Sequence, residues 1–387
     1  MRVITTTPEL KTACQELAKS DFVAVDTEFM RETTFWPVLC LIQMANPDTE
    51  VVVDPLSAGL DLAPFHDLMM NQAVVKVFHA ARQDIEIVFA QTGKAPAPVF
   101  DTQIAAMVCG FNESVSYVNL VKKVTGIDLD KSSRFTDWSR RPLSPGQLSY
   151  ALADVTHLRD CYRYLQKEMA VGGRGDWVHE EMAELMASST YETVPEEAWK
   201  RLKLRVKNRK ALAILMELAA WRERGAQSQN VPRGRILRDE ALFDIANQAP
   251  VTVEKLSELR TLSDGFARSS RAREIIDAVK RGLARDPKTV PPLEHNAPMS
   301  AEANATVELL KVLLKAAAAR HRVAPRLIAD NDELEQIASE DAPKVRTLTG
   351  WRRTVFGDDA LRLKRGELAL TLKGGEVVAM AAQPVDV

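Results

Sequence analysis

Short apolar runs and amphipathic stretches alternate along the first third of the chain, and the period of each decides what it can form. Phe22 to Val25, Leu39 to Ala45, Glu50 to Asp54 and Val74 to Phe78 are brief β-rich runs bounded by turn formers, and they read as strands. Asn46-Pro47-Asp48 divides the second run from the third, which predicts an antiparallel hairpin beside the first strand. Leu10, Ala13, Leu17 and Ala18 recur at helical spacing, so a helix is expected over Pro8 to Ala18 with Thr7 as its cap, and another near Leu62 to Met70. A helix after His79 carries Ile85, Val88 and Phe89 on its apolar side, with Asp84 in its first turn. Asp101 is placed to cap the helix that follows it. Ser144, Pro145 and Gln147 make a capping-box start for a long helix to about Lys167, with Leu148, Leu152, Val155 and Leu158 along its core stripe. Strands followed by alternating strand and helix predict a mixed sheet with helices packed on it.

After Gly172-Gly173-Arg174-Gly175 the pattern is helical and it repeats. Val231, Ile236, Leu242, Ile245 and Ala246 recur 92 positions on as Val323, Ile328, Leu334, Ile337 and Ala338. The Pro-rich stretch 286–298 separates the two copies as a linker. The expected domains are residues 1–170, a helical connector 171–207, a helical domain 208–287, a linker 288–299 and a second helical domain 300–382.

The 387 residues carry 51 Lys and Arg against 53 Asp and Glu, a net charge of −2, which excludes a uniformly basic nucleic-acid coat. An anionic partner must meet local basic patches. Trp199 to Lys210 offers one, with Lys200, Arg201, Lys203, Arg205, Lys207, Arg209 and Lys210 and no acid; it suits a solvated helix face or, as we favour, a phosphate backbone. Lys131 to Arg141 mixes basic residues with Phe135 and Trp138, which fits single-stranded nucleic acid and fits equally a polar loop anchored by two core aromatics. Cys14, Cys40, Cys109 and Cys161 are scattered and read as reduced thiols. With no signal-like N-terminus and no long apolar window, a cytoplasmic place without a membrane is expected.

Strand alternation puts Asp26 and Glu28 on one side of the first strand and Thr27 on the other. Two anions so close repel unless a cation sits between them, and carboxylate oxygens suit magnesium or manganese. A solvated strand end would carry the same Asp-x-Glu, so other acids must decide. Asp84 stands at a strand-to-helix junction, where a helix-start acid is also ordinary, and His79 fits a satisfied core histidine as well as a ligand. Tyr150 and Asp154 are four apart and stack one turn over the other on the long helix. Four carboxylates around two divalent ions are the apparatus of in-line phosphodiester hydrolysis. A phenol with an unperturbed pKa of about 10 is a poor base, so Tyr150 is expected to orient the attacking water.

Asp26-x-Glu28 after an apolar strand, His79-x4-Asp84 and Tyr150-x3-Asp154, in that order and with Leu41-Ile-Gln43, Phe78-His-Ala80 and Asp101-Thr-Gln103 between them, resemble the motifs of the DEDDy 3′→5′ exonuclease family. The resemblance implies an α/β RNase H-like domain with a mixed five-stranded sheet flanked by helices. It also implies Asp26, Glu28, Asp84 and Asp154 as ligands of two divalent metal ions, Mg2+ or Mn2+, and Tyr150 as positioner of the nucleophile. Trp221-Arg222, Val231-Pro-Arg233 and Ile236-Leu-x-Asp239 resemble an HRDC domain, a small helical nucleic-acid-binding module, which makes Arg233 a candidate RNA contact beside His79, Phe135 and Trp138. The second copy departs from it, with Ala324-Pro325 for Val-Pro-Arg and Asn331 for Asp239, so two all-α HRDC-like domains are expected with unequal claims on RNA. The implied activity is 3′→5′ trimming of RNA to nucleoside 5′-monophosphates, with tRNA precursors bearing 3′ trailers as partners and no obligate protein partner. A DNA exonuclease and an RNA-binding module with a vestigial nuclease are the rivals.

Overall fold

β2 (Phe22–Met30) carries four consecutive buried residues, Phe22 to Val25, because a strand with neighbours on both sides and helices on both faces is apolar on both. In the computed structural model, which describes residues 3–111, 113–130, 136–203, 205–267, 269–293 and 299–382, this strand lies inside a mixed sheet. Its companions are β1 (Val3–Ile4), β3 (Val38–Ala45), β4 (Glu50–Val53), β5 (Val75–Phe78) and β6 (Val99–Asp101). The order is β1-β4-β3-β2-β5-β6. β3 and β4 form the expected antiparallel hairpin, with Ile42 opposite Val53, while β5 runs parallel to both β2 and β6. The sheet has six strands rather than five, because Val3 and Ile4 add in parallel to Val52 and Val53.

The helices of this α/β region are α1 (Thr7–Leu17), α2 (Ala63–Met70), α3 (Arg82–Thr92), α4 (Thr102–Val108), α5 (Tyr117–Thr125), α6 (Pro145–Gly172) and α7 (Gly175–Met186). α6 begins with the reciprocal cap read from the sequence: the Ser144 hydroxyl accepts from the Gln147 N–H at 3.2 Å, and the Gln147 side chain accepts from the Ser144 N–H at 3.0 Å. Its buried face, including Val155, Leu158 and Tyr162, shares a core with Phe22 and Ala24 of β2 and Ala45 of β3. The rings of Tyr162 and Phe22 lie 4.7 Å apart. Since Phe22, Ala24, Asp26 and Glu28 share one strand face, α6 lies along the face that bears the acids.

Two helical copies follow. The first comprises α8 (Arg209–Gln229), α9 (Arg233–Ile236), α10 (Asp239–Gln248), α11 (Val253–Ser257), α12 (Asp264–Ala267) and α13 (Ser270–Ala284). The second comprises α14 (Ala301–His321), α15 (Pro325–Ile328), α16 (Asn331–Ser339), α17 (Gly350–Arg352) and α18 (Asp358–Lys364). α8, α9 and α10 begin 92 positions before α14, α15 and α16, and the first helix of each copy stops at a left-handed residue, Asn230 (φ 49°) and Arg322 (φ 48°). The second copy is not purely helical. It ends in a hairpin, β7 (Leu368–Lys373) with β8 (Glu376–Ala381), turned by Gly374 and Gly375 at φ 61° and 85°. The basic run at 199–210 is also not one helix: a 3-10 turn ends at Arg201 and α8 starts only at Arg209.

The chain divides into two compact units, one of residues 1–28, 41–190 and 296–387, the other of residues 29–40 and 191–295. Within the first, the second helical copy shares a continuous core with the α/β region. Leu310, Leu314, Val323 and Phe356 belong to the same cluster as Val108, Val178 and Met182. Trp177 stacks on Trp351 at 4.5 Å with 10° between planes, and the Ala324 N–H donates to the Met107 carbonyl at 2.9 Å. Gly110 sits here at φ 82°, where a Cβ would lie 2.6 Å from the Arg322 carbonyl oxygen. In the second unit, Leu215 and Leu218 of α8 pack with Leu242 of α10 and Ile275 of α13. Gly282 lets α13 approach α8, since a Cβ there would come within 2.5 Å of the Ile214 Cα. Phe35 packs with Ala226 and Ile236 in this unit. Among the described residues no helix is long and apolar enough to cross a membrane.

Candidate metal centre

Three of the four acids meet. Carboxylate oxygens of Asp26, Glu28 and Asp154 all lie within 4.8 Å of one another, and each residue is half-buried. β2 sets the first two on one face by its two-residue period, and α6 delivers the third from across that face. Asp84 lies outside this trio. It is buried in the first turn of α3 and tied to the opposite side of β2, where the Thr27 hydroxyl donates to its carboxylate at 2.5 Å. It is still close enough that Asp26 and Asp84 repel.

The electrostatics follow from burial and like charge. Burial, then repulsion from Asp154, pushes the Asp26 carboxyl well above the usual range. Burial raises Glu28 to about 9, with Asp26, Asp154 and Asp84 each adding to it. Asp84 is driven up by burial and by Asp26, against the hydrogen bond from Thr27. Asp154 is raised to about 7 by burial, opposed by the hydrogen bond that Tyr150 donates to it. Among the described residues no lysine or arginine figures in the shifts of these four acids. Oxygen-only donors with uncompensated charge fit a hard divalent cation, and fit poorly any softer group.

Parts of the surrounding frame have no signature in the spacing of the acids. The Asp101 carboxylate caps α4 as expected, accepting from the Gln103 N–H, and it also accepts from Ala80 (3.0 Å) and Ala81 (2.8 Å). It thereby holds Ala80 at φ 60° and fixes the turn from β5 into α3 that places Asp84. The Tyr117 hydroxyl donates to the Ala153 carbonyl at 2.8 Å, next to Asp154. Thr27 is the partner of Asp84. A polar residue buried between two motif positions is the one hint of this that the sequence holds.

The expected RNA contacts fare differently from the acids. His79 is engaged inside the fold: Nδ1 meets the Thr102 hydroxyl at 2.9 Å and Nε2 meets the Val115 carbonyl at 3.0 Å. Burial pushes its pKa down, and both ring nitrogens are engaged inside the fold, with none left for a base. Trp138 is only 3% exposed, so it offers no open face for stacking; of the two readings of its loop, the anchored one holds for this residue. Arg233 makes a two-point pair with Glu223, both bonds at 2.6 Å, and its guanidinium lies 4.6 Å from the centre of the Phe35 ring, so two of its five N–H donors are engaged within its own unit. Phe135 lies outside the described residues.

Comparison with known proteins identifies the family. Residues 1–170 match the 3'-5' exonuclease family and residues 211–279 match the HRDC domain. Ribonuclease D of Nitrobacter hamburgensis is 55% identical over 378 residues, 98% of this chain and 99% of the relative. Ribonuclease D of Bartonella henselae is 48% identical, over 97% of this chain and 93% of the relative. The crystal structure of Escherichia coli RNase D superposes with a TM-score of 0.82 at 27% identity, covering 94% of this chain and 98% of that one. An exonuclease domain with a converged acid trio, an HRDC domain and full-length relatives of one kind leave a single assignment: the chain belongs to the ribonuclease D family of 3′→5′ exoribonucleases.

Proposed function

We propose that this exoribonuclease works at a two-metal centre, Mg2+ or Mn2+, held by Asp26, Glu28, Asp84 and Asp154, and that its substrates are structured RNAs, tRNA precursors with 3′ trailers among them. The observation that carries the reading is the approach of Asp26, Glu28 and Asp154 to within 4.8 Å, with charge that the described residues do not neutralise. Such ions supply Lewis acidity, making water more acidic and neutralising charge that develops on phosphate oxygens. Asp26, Glu28 and Asp154 would hold the ions, with Asp84, steadied by Thr27 and close to Asp26, adding charge beside them. Tyr150, whose hydroxyl donates to Asp154, would orient the attacking water. Exposed Lys203, Arg205, Lys207, Arg209 and Lys210 support contact with an RNA backbone in the second unit. The RNase D of E. coli is described as an exoribonuclease involved in structured RNA processing, which favours substrates of that kind here.

The test is turnover of a 5′-labelled RNA hairpin with a short 3′ trailer. Stepwise shortening from the 3′ end, release of nucleoside 5′-monophosphates, arrest by a chelator and slow turnover of the matched DNA are expected. Chelator-insensitive cleavage, or equal rates on DNA and RNA, would overturn the metal or the substrate part of the reading.

A further inference from the structure

Tyr150 stands in the first turns of α6, half-buried, and its hydroxyl serves only if its ring keeps one orientation. A tyrosine on an open helix face has more than one χ1 well, and these set its hydroxyl ångströms apart. The structure provides a wall against that freedom. The indole of Trp138 lies 6.1 Å from the Tyr150 ring, tilted by 36°, within the range of attractive aromatic pairs. It is held by shape: among the described residues the buried indole N–H has no acceptor.

The loop that carries the indole is tied at both ends to rigid elements. Asp54, which follows β4, receives two bonds from Arg141, Nε and Nη2 at 2.7 Å each, and its own N–H donates to the Ile4 carbonyl of β1 at 2.9 Å. Arg141 Nη1 reaches back to the Trp138 carbonyl at 2.8 Å. At the other side, the Gln147 amide of the α6 cap donates to the Thr136 hydroxyl at 3.2 Å. Two-point arginine pairs fix orientation as well as distance. The aromatic wall is therefore referenced both to the sheet that bears Asp26 and Glu28 and to the helix that bears Tyr150 and Asp154.

We propose that Trp138 is a positioning residue for the exonuclease reaction, a brace locked by the Arg141–Asp54 pair that holds the Tyr150 ring in the orientation from which its hydroxyl serves the acid trio. This rests on the role given to Tyr150 above. Trp138 touches neither RNA nor metal, and its contribution passes through Tyr150 alone.

A double-mutant cycle on the full chain tests it, reading kcat, KM and RNA affinity. W138F and R141Q each lower kcat, by about ten- to a hundredfold for misplacement of order one ångström. Neither changes the dissociation constant for RNA measured in a chelator. In a Y150F background both lose their effect, because no hydroxyl remains to be placed. R141Q leaves the core untouched, so it carries the test should W138F fold poorly. Losses in kcat that persist undiminished in Y150F, or RNA affinity falling in step with rate, would overturn the brace. Wild-type turnover by Y150F itself would instead remove the role of Tyr150, a result separable because it involves no change at Trp138 or Arg141.

Discussion

Glu181 and the Asp26 trio are carboxylates withdrawn from water in the same compact unit, and the fold treats them in opposite ways. Burial raises Glu181, but Arg352, itself 1% exposed, bonds to it and lowers the cost. The same guanidinium donates to Glu180 at 2.8 Å and to the Leu327 carbonyl at 2.7 Å, so its donors are spent within the seam between α7 and the second helical copy. At Glu28 every neighbouring charge adds to the burial instead of opposing it. Where an acid holds the fold together, the chain brings its own cation. Where three acids meet without one, relief would come from bound protons or, as proposed above, from a cation taken from solution.

This contrast predicts effects of opposite kind. D26N or D154N removes a ligand charge worth several kcal/mol of transition-state stabilisation, so turnover of RNA falls on the order of a thousandfold or more. Without metal, the same variants unfold at equal or higher urea concentration than wild type, because a repulsion is gone. R352M behaves in reverse. It strands Glu181 and costs about 3–5 kcal/mol in urea unfolding, while kcat on a short RNA changes little. Loss of stability in D26N, or loss of kcat in a folded R352M, would erase the distinction.

Magnesium sharpens it further. An ion bound to the folded form alone stabilises by about 2.7 kcal/mol at a hundred times its dissociation constant, so the melting temperature of wild type rises with Mg2+ and that of D154N does not. R352M should show the full rise from its lower starting point. The smallest expected effect is in pH. Asp154, raised to about 7, and Glu28, raised to about 9, keep protons in the folded chain that the unfolded chain releases near pH 4. The folded state then binds more protons across that window, so metal-free stability falls as pH rises from about 4 towards 9. Saturating Mg2+ should flatten the slope measured by urea unfolding.

What is legible in the chain follows the range of the forces involved. The two-residue period of Asp26 and Glu28, the Ser144–Gln147 cap and the 92-residue repeat are local or self-similar, and each is present in the structure where its residues indicate. Asp84 is placed by a hydrogen bond from Thr27, 57 positions away, and spacing cannot report that. Trp138 illustrates ambiguity of composition: an aromatic among basic residues suits an RNA groove or a core anchor, and only its burial separates them. The β7–β8 hairpin does leave a trace, since Leu368, Leu370 and Leu372 alternate before Gly374-Gly375. A helical repeat extended too far hides it. The seam with Arg352 leaves none, because its partners Glu180 and Glu181 precede it by about 170 positions.

Soaking crystals of the protein in Mn2+ and recording anomalous scattering tests the contrast between paired and unpaired acids most directly. The account predicts peaks among Asp26, Glu28 and Asp154 and none at Glu180 and Glu181. An empty trio at saturating Mn2+, or a peak at the Arg352 seam in its place, would contradict it.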